Sequence, residues 1–158
     1  MIFVTTGTSL PFDRLIAAVD EIAPQFPEES FLAQIGDGAF QPRNMEWVRT
    51  MDERDYARRC AASKALIAHA GMGSLITAMQ TGRPIVVLPR RLSLGEINTD
   101  HQIATARRWS GRSGIFVAMD ESALTEALIQ ALNQNLSGLQ PLPTNGLVEN
   151  LRSFIEND

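Results

Sequence analysis

The sequence is poor in several features, and each shortage excludes a class of protein. Cys60 is the only cysteine among 158 residues, which excludes an intrachain disulfide framework and a cysteine-rich zinc site. Its alanine neighbours favour a buried, unreactive thiol on a helix. No apolar run approaches the ~18–20 residues that span a bilayer, and the N-terminal segment lacks a signal-peptide pattern. We therefore expect a cytoplasmic protein without a membrane span of its own.

Lysine is also scarce, and acidic residues outnumber basic residues by 18 to 14. Lys64 is the only lysine, and the formal net charge is −4 at pH 7. Sequence-independent binding of nucleic acids requires a basic surface, so this class of function is excluded. The rest of the composition, with 44% hydrophobic and 20% charged residues, is typical of a globular protein. A chain of this length is expected to form one domain with a substantial core.

Short apolar runs alternate with segments of helical periodicity. Strands are predicted near residues 2–6, 30–35, 45–49, 65–68, 85–88 and 115–117. Helices are predicted after Asp13, after the N-cap Asp52, from Ser74, across residues 101–109, and after Asp120 or Ser122. Alternating strands and helices with short connections predict an α/β fold with a doubly wound, Rossmann-like parallel sheet.

A glycine-rich turn joins the fourth predicted strand to its helix. Gly71 and Gly73 permit a close backbone approach, and Ser74 is a plausible N-cap for the helix that follows. The free N–H groups at such a helix start bind a phosphate or diphosphate. Turns of this kind are also common without a ligand, and His69 is equally consistent with a hydrogen-bonded histidine at a strand end.

Two further turns are expected at the same edge of the sheet. A polar loop with Glu96, Asn98, Asp100, His101 and Gln102 follows the strand at 85–88, and open α/β sheets bind ligands at this edge. The Gly7-Thr8 turn follows the first strand and is consistent with either ligand contact or a plain tight turn. Together these segments predict a binding site at the carboxyl ends of the strands.

This combination resembles the donor-binding C-terminal domain of GT-B glycosyltransferases of the family 28 type. The opening Phe3-Val4-Thr5-Thr6-Gly7-Thr8 supports the resemblance, which covers roughly the first 130 residues. The closest similarity is to split members: the cytosolic subunit of the dolichol-linked UDP-GlcNAc transferase and bacterial exopolysaccharide subunits. The resemblance implies a GT-B donor lobe that binds a UDP-sugar through Gly7, Thr8, His69, Gly71, Gly73, Ser74, Glu96, Asn98, His101 and Gln102.

The sequence departs from that family in one binding residue. In the lipid II-forming members, a helix glutamate just past the glycine turn holds the ribose hydroxyls. The corresponding segment here, Leu75-Ile76-Thr77-Ala78-Met79, has no carboxylate. This weakens the inference that the nucleotide is uridine, and ribose recognition is expected from another residue, with Glu96 as a candidate.

A second departure concerns catalysis. Glycosyl transfer needs a base that activates the acceptor hydroxyl, and in this family the base comes from the acceptor lobe. We identify no certain catalytic residue in this single lobe, although His101 is a candidate. The resemblance therefore implies a membrane-anchored, acceptor-binding partner subunit. No metal site and no cofactor are predicted, since the UDP-sugar is a substrate.

The predicted function is thus the donor-binding subunit of a two-component glycosyltransferase. It would transfer a hexose or GlcNAc to a lipid-linked saccharide, in exopolysaccharide or glycan synthesis, and the partner would recruit it to the membrane. Two alternatives remain open. One is a stand-alone nucleotide-sugar enzyme, such as an epimerase or hydrolase, and the other is a non-catalytic regulator with the same fold.

The last segment differs in composition from the domain, which we assign to residues 1–134. Residues 135–158 are predicted to form a polar, Pro-containing linker and an amphipathic helix over residues 146–155, which docks on its own domain or on a partner chain. A basic cluster at Arg107, Arg108 and Arg112 is consistent with solvated surface or with contact to an acidic partner or anionic lipid.

Overall fold

Short, β-branched and apolar segments form the six strands of a parallel sheet in the computed structural model, which describes residues 1–134. Their apolar side chains are buried because helices cover both faces of the sheet. The strand order is β3-β2-β1-β4-β5-β6, and every neighbouring pair is parallel. The strands are β1 (Ile2–Thr5), β2 (Phe31–Gln34), β3 (Glu46–Val48), β4 (Ala65–His69), β5 (Ile85–Leu88) and β6 (Ile115–Val117). The predicted doubly wound α/β fold is confirmed.

The α-helices begin and end largely at the signals in the sequence. Asp52 caps α2 by accepting a hydrogen bond from the backbone N–H of Asp55 at 2.8 Å. Gly82 ends α3 in the left-handed conformation, with φ of 62°. The five helices are α1 (Asp13–Ile22), α2 (Glu53–Ala62), α3 (Met72–Thr81), α4 (His101–Trp109) and α5 (Leu124–Asn133).

The predicted start of one helix, α3, was wrong. The N-cap of α3 is Gly71 rather than Ser74, because the helical turn already begins at Met72. Ser74 instead lies inside the first turn, where its hydroxyl faces His69. The helix α4 begins at His101, as predicted, so His101 and Gln102 lie in its first turn and the polar loop before it ends at Asp100.

Two apolar cores flank the sheet. On one face α1 and α5 pack with residues such as Leu15, Ile16 and Leu128. On the other face α2, α3 and α4 pack through Cys60 and Leu75, among others. Burial raises the pKa of the Cys60 thiol to about 11, which agrees with the expectation of a buried thiol.

The strand order has its switch point between β1 and β4, where the direction in which strands are added to the sheet reverses. From β1 the chain adds β2 and β3 on one side, and from β4 it adds β5 and β6 on the other. Thr5 pairs with Ala68 in register, so the turns that follow β1 and β4 emerge side by side. A crevice at this switch point is the usual ligand position in open α/β sheets.

The tail predictions concern residues outside the described part of the chain, since the linker and the helix at 146–155 lie beyond residue 134. Within residues 1–134, no helix combines the length and the apolar composition needed to cross a membrane.

Candidate functional site

A cleft of about 420 Å³ opens at the switch point between β1 and β4. The turn after β1 lines it with residues 6–9, and the turn after β4 contributes His69, Gly73 and Ser74. Arg90 lines it from the end of β5, and the side of α2 adds Glu53 and Tyr56. Two turns that are 62 residues apart in the chain, at Gly7 and His69, therefore form one site.

His69 is packed between the two glycine turns. A Cβ at Gly7 would lie 2.7 Å from its Cε1 atom, and a Cβ at Gly71 would lie 2.3 Å from its Nε2 atom. The backbone of Gly7 also has φ of 78°, which side-chain-bearing residues rarely adopt. The Ser74 hydroxyl lies 3.5 Å from Nδ1. Both glycines are thus required by the position of one imidazole ring.

The charge of His69 is set by its surroundings. Burial, reinforced by the nearby guanidinium of Arg90, lowers the pKa of His69 to about 4. The ring is therefore neutral near pH 7 and can both donate and accept one hydrogen bond.

Arg90 provides the positive charge instead. It is only 3% exposed, and one guanidinium nitrogen donates to the carbonyl oxygens of Thr6 at 2.7 Å and Leu10 at 2.6 Å. The ring of Phe12 lies 4.8 Å from the guanidinium carbon. Its buried Nε atom has no hydrogen-bond partner within residues 1–134. Burial lowers the pKa of Arg90, but an arginine side chain stays protonated at neutral pH.

The N-terminus of α3 adds to this positive potential. The first N–H groups of a helix have no acceptor within the helix, and the helix dipole favours an anion there. Gly73 lies in this first turn, and a Cβ at this position would meet no atom within 4 Å. The space beside Gly73 is therefore open to a ligand.

The opposite wall of the cleft comes from α2 and the middle of α3. Tyr56 packs edge-to-face on Phe3, and burial raises the pKa of its hydroxyl. Thr77, one turn after Gly73, donates its hydroxyl hydrogen to the Gly73 carbonyl at 3.0 Å. Of the described residues, Glu53 supplies the only carboxylate in the lining.

The structure gives Glu96 contacts within the domain. Its carboxylate receives hydrogen bonds from Arg14 Nε at 2.6 Å, from Arg14 Nη2 at 2.8 Å and from the backbone N–H of Arg91 at 2.9 Å. Both side chains of the ion pair are largely buried. Glu96 is not part of the cleft lining, and these contacts tie the loop after β5 to α1.

His101 and Gln102 differ in exposure although they are adjacent. Gln102 is 3% exposed, and its Oε1 atom accepts a hydrogen bond from the backbone N–H of Arg90 at 3.1 Å. His101 is exposed at the start of α4, where its Nδ1 atom contacts the Thr99 hydroxyl. Asn98 is exposed in the preceding loop. None of these three side chains lines the cleft itself.

The structure thus separates the ten predicted residues into two groups. Gly7, Thr8, His69, Gly73 and Ser74 line the cleft, and Gly71 supports His69 from behind. Glu96, Asn98, His101 and Gln102 lie in or beside the loop after β5. Within residues 1–134, no group of three or more His, Cys, Asp or Glu side chains is placed to hold a metal ion.

Sequence reasoning missed several residues of the lining, among them Arg90, Glu53 and Tyr56. Arg90 could have been found, because a charged residue directly after a buried strand and Pro89 is an unusual position for solvated surface. Glu53 could not, since it resembles any acidic residue in the first turn of a helix. Its role depends on how α2 lies across the sheet.

Comparison with known proteins identifies the family of the domain. Residues 1–145 match the glycosyltransferase family 28 C-terminal domain. No curated protein gives a significant match.

Solved structures that share the fold match this chain at less than 25% identity, and three of them are described here. The glycotransferase of kitacinnamycin has 19% identity and a TM-score of 0.66, with 99% of this chain and 42% of that chain covered. ALG13 has 17% identity and a TM-score of 0.63, covering 98% and 94%. Acinetobacter baumannii MurG has 17% identity and a TM-score of 0.56, covering 99% and 49%. This chain therefore spans less than half of the first and third proteins but nearly all of ALG13. Because the family model matches residues 1–145, the chain belongs to the glycosyltransferase family 28 C-terminal domain family.

Proposed function

We propose that this protein is the UDP-sugar-binding subunit of a two-component glycosyltransferase. In this proposal it presents a hexose or GlcNAc donor to a lipid-linked saccharide that a membrane-associated partner holds. The observation that carries the proposal is the cleft at the β1–β4 switch point of a family 28 C-terminal domain, lined by a helix N-terminus and a buried arginine.

The diphosphate of the donor fits the positive side of this cleft. The open space beside Gly73 allows phosphate oxygens to approach the first N–H groups of α3. The Arg90 guanidinium lies in the same lining, with a nitrogen that has no partner among residues 1–134. Negative charge grows on the leaving UDP as the glycosidic bond breaks, and donors fixed in advance stabilise it there.

His69 serves this site as a neutral group. Because it is held between Gly7 and Gly71 and keeps its pKa near 4, it offers hydrogen bonds to phosphate or sugar oxygens without competing as a cation with Arg90. A neutral imidazole is also a possible base, but its packing against both turns leaves it little freedom to follow an acceptor hydroxyl. We assign the base to the partner subunit for this reason.

In this proposal the partner supplies the surface that holds the acceptor. The lining described here accounts for a nucleotide diphosphate, whereas the acceptor needs a second surface. ALG13, which this chain matches over 94% of its length, shows that a chain of one such lobe exists. The split members that the sequence resembles supply the expected arrangement, a separate acceptor subunit at the membrane.

The donor site is tested by calorimetric titration with UDP, UMP and uridine. Affinity should rise with each added phosphate, and Gly73→Asp should abolish UDP binding, because it adds a negative charge in open space without a steric clash in the fold. Gln80→Glu is the matched control: it adds the same charge to the exposed face of α3 near its other end. Failure of the wild type to bind UDP would refute the donor site.

The two-component part needs a separate experiment. The purified chain alone should not transfer sugar from UDP-GlcNAc or UDP-glucose to a lipid-linked acceptor, whereas membranes that contain the partner should restore transfer. Transfer by the chain alone, in detergent and without membranes, would contradict the split-enzyme proposal. Hydrolysis or epimerisation of the UDP-sugar by the chain alone would instead favour a stand-alone enzyme.

A further inference from the structure

We infer that Glu53 is the residue that recognises the ribose of the nucleotide, an inference that rests on the proposed UDP-sugar site. Glu53 is the exposed first residue of α2 and is one of the residues that line the cleft. It forms no hydrogen bond or ion pair with another side chain in residues 1–134. An accepting carboxylate is therefore open to the cleft.

The two charges of the lining enter the cleft from opposite sides of the switch point. Arg90 follows β5, and Glu53 follows β3. Four strand spacings separate β3 from β5 in the sheet, which is roughly 19 Å at about 4.8 Å per spacing. The two charged residues thus reach the shared cleft from strands on opposite sides of the switch point.

The nucleoside then lies on the side of Glu53. Thr77 is four residues after Gly73 on α3, which is about 6 Å along the helix axis. It faces the same cleft as Tyr56 and Glu53. A ribose attached to the first phosphate would lie about one turn of α3 away from the diphosphate. The groups available there are one carboxylate and two hydroxyls.

A carboxylate at that position suits a vicinal diol. An ionised carboxylate accepts hydrogen bonds from two hydroxyl groups and donates none, and acidic side chains hold the ribose hydroxyl in other Rossmann-type nucleotide sites. The two hydroxyls on this wall already have partners: Thr77 donates its hydrogen to the Gly73 carbonyl, and the Tyr56 hydroxyl hydrogen-bonds with Cys60, Thr5 and Thr77. Glu96, the other acid considered for this role, is bound by Arg14 and lies outside the lining.

The test removes the ribose hydroxyls from the ligand or the carboxylate from the protein and compares the effects on affinity. Calorimetry should show that the wild type binds UDP about tenfold more tightly than 2′-deoxy-UDP or 2′,3′-dideoxy-UDP, the size expected for a hydrogen bond to a charged group. Glu53→Gln should bind UDP about tenfold more weakly than the wild type and should lose most of the preference for ribose.

Asp55→Asn is the matched control, because it neutralises another carboxylate in the first turn of α2 that does not line the cleft. It should keep the full preference for UDP over 2′-deoxy-UDP. Thermal unfolding of both variants separates a general effect on α2 from a loss of recognition.

The outcomes distinguish this inference from the proposed function. If the wild type binds UDP but shows no preference for ribose, or if Glu53→Gln retains that preference, the assignment of Glu53 is overturned while the donor site stands. If the wild type binds none of the three nucleotides, the donor site itself fails and the assignment fails with it.

Discussion

The Nε2 atom of His69 lies so close to Gly71 that a Cβ added to this glycine would be only 2.3 Å away. Gly71 itself has φ of −95°, which any residue can adopt, so the requirement for glycine is steric and does not come from the backbone. The position of the imidazole and the absence of a side chain at Gly71 are therefore one constraint.

Alanine substitutions of the two glycines at the start of α3 should change stability in opposite directions. Gly71→Ala should lower the free energy of unfolding by about 1–3 kcal/mol, because the ring of His69 must move within a packed site. Gly73→Ala should instead raise it by up to about 1 kcal/mol, because alanine favours the helix and its Cβ meets open space. Urea unfolding measures both changes. Equal destabilisation by the two substitutions would contradict the steric argument.

Stability should fall when the solution is acidified through the range in which His69 titrates. The folded-state pKa is lowered to about 4 from an ordinary value of 6.5, mainly by burial. Between these values the unfolded chain binds more protons than the folded chain, so stability is lost as pH falls from 6.5 toward 4 and is retained above 6.5. The full effect is up to about 3 kcal/mol.

The variant His69→Gln isolates this contribution. Its unfolding free energy should be lower near pH 7 but should change less between pH 6.5 and pH 4 than that of the wild type. Urea unfolding at several pH values gives the slope of the unfolding free energy against pH for each protein. The contributions of carboxylates that both proteins share cancel in the difference between the two slopes. Identical slopes would show that His69 is not the group responsible.

Glu96 should prove more important for stability than for nucleotide recognition. Glu96→Gln leaves the largely buried Arg14 without its main partner, which should cost about 3 kcal/mol. Glu121→Gln, which removes the second and more exposed partner of Arg14, should cost less than about 1 kcal/mol. Thermal unfolding and UDP titration are compared for both. A stable Glu96→Gln protein with selectively lost UDP affinity would restore Glu96 as the ribose ligand.

Substitutions of His101 and Gln102 should have different effects on stability and UDP-GlcNAc binding. Gln102→Ala leaves the buried N–H of Arg90 without an acceptor and should cost about 1–3 kcal/mol of stability. His101→Ala, at an exposed position, should leave the melting temperature nearly unchanged while weakening UDP-GlcNAc binding. If His101→Ala changes neither quantity, His101 has no role in donor binding.

The sequence predicted the fold well because its signals were local. Apolar runs such as Ile85–Leu88 and caps such as Asp52 act within a few residues, and the structure has the strand and the cap at those positions. The start of α3 was misplaced because Gly71 serves as N-cap without a side chain. A serine is the stronger signal in sequence, but here Ser74 faces His69.

The site was harder to predict because its members are joined only by the tertiary fold. The glycine turns were found from the local sequence pattern. The pairing of Arg14 with Glu96 spans 82 residues, so the sequence did not show that the Glu96 carboxylate binds an arginine rather than a ligand. Likewise Gln102 looks like a polar ligand residue in sequence, and only its contact with Arg90 shows that it is buried.

The buried thiol of Cys60 has a practical consequence for experiments on this protein. It lies on α2, the same helix that presents Glu53 and Tyr56 to the cleft, and its pKa near 11 leaves almost no thiolate at neutral pH. A thiol-reactive reagent can modify it only when α2 lifts from the sheet, so the labelling rate reports local opening of that helix. Because the chain has a single cysteine, the signal needs no mutagenesis. A nucleotide that bridges α2 and α3 should slow the reaction in proportion to its occupancy.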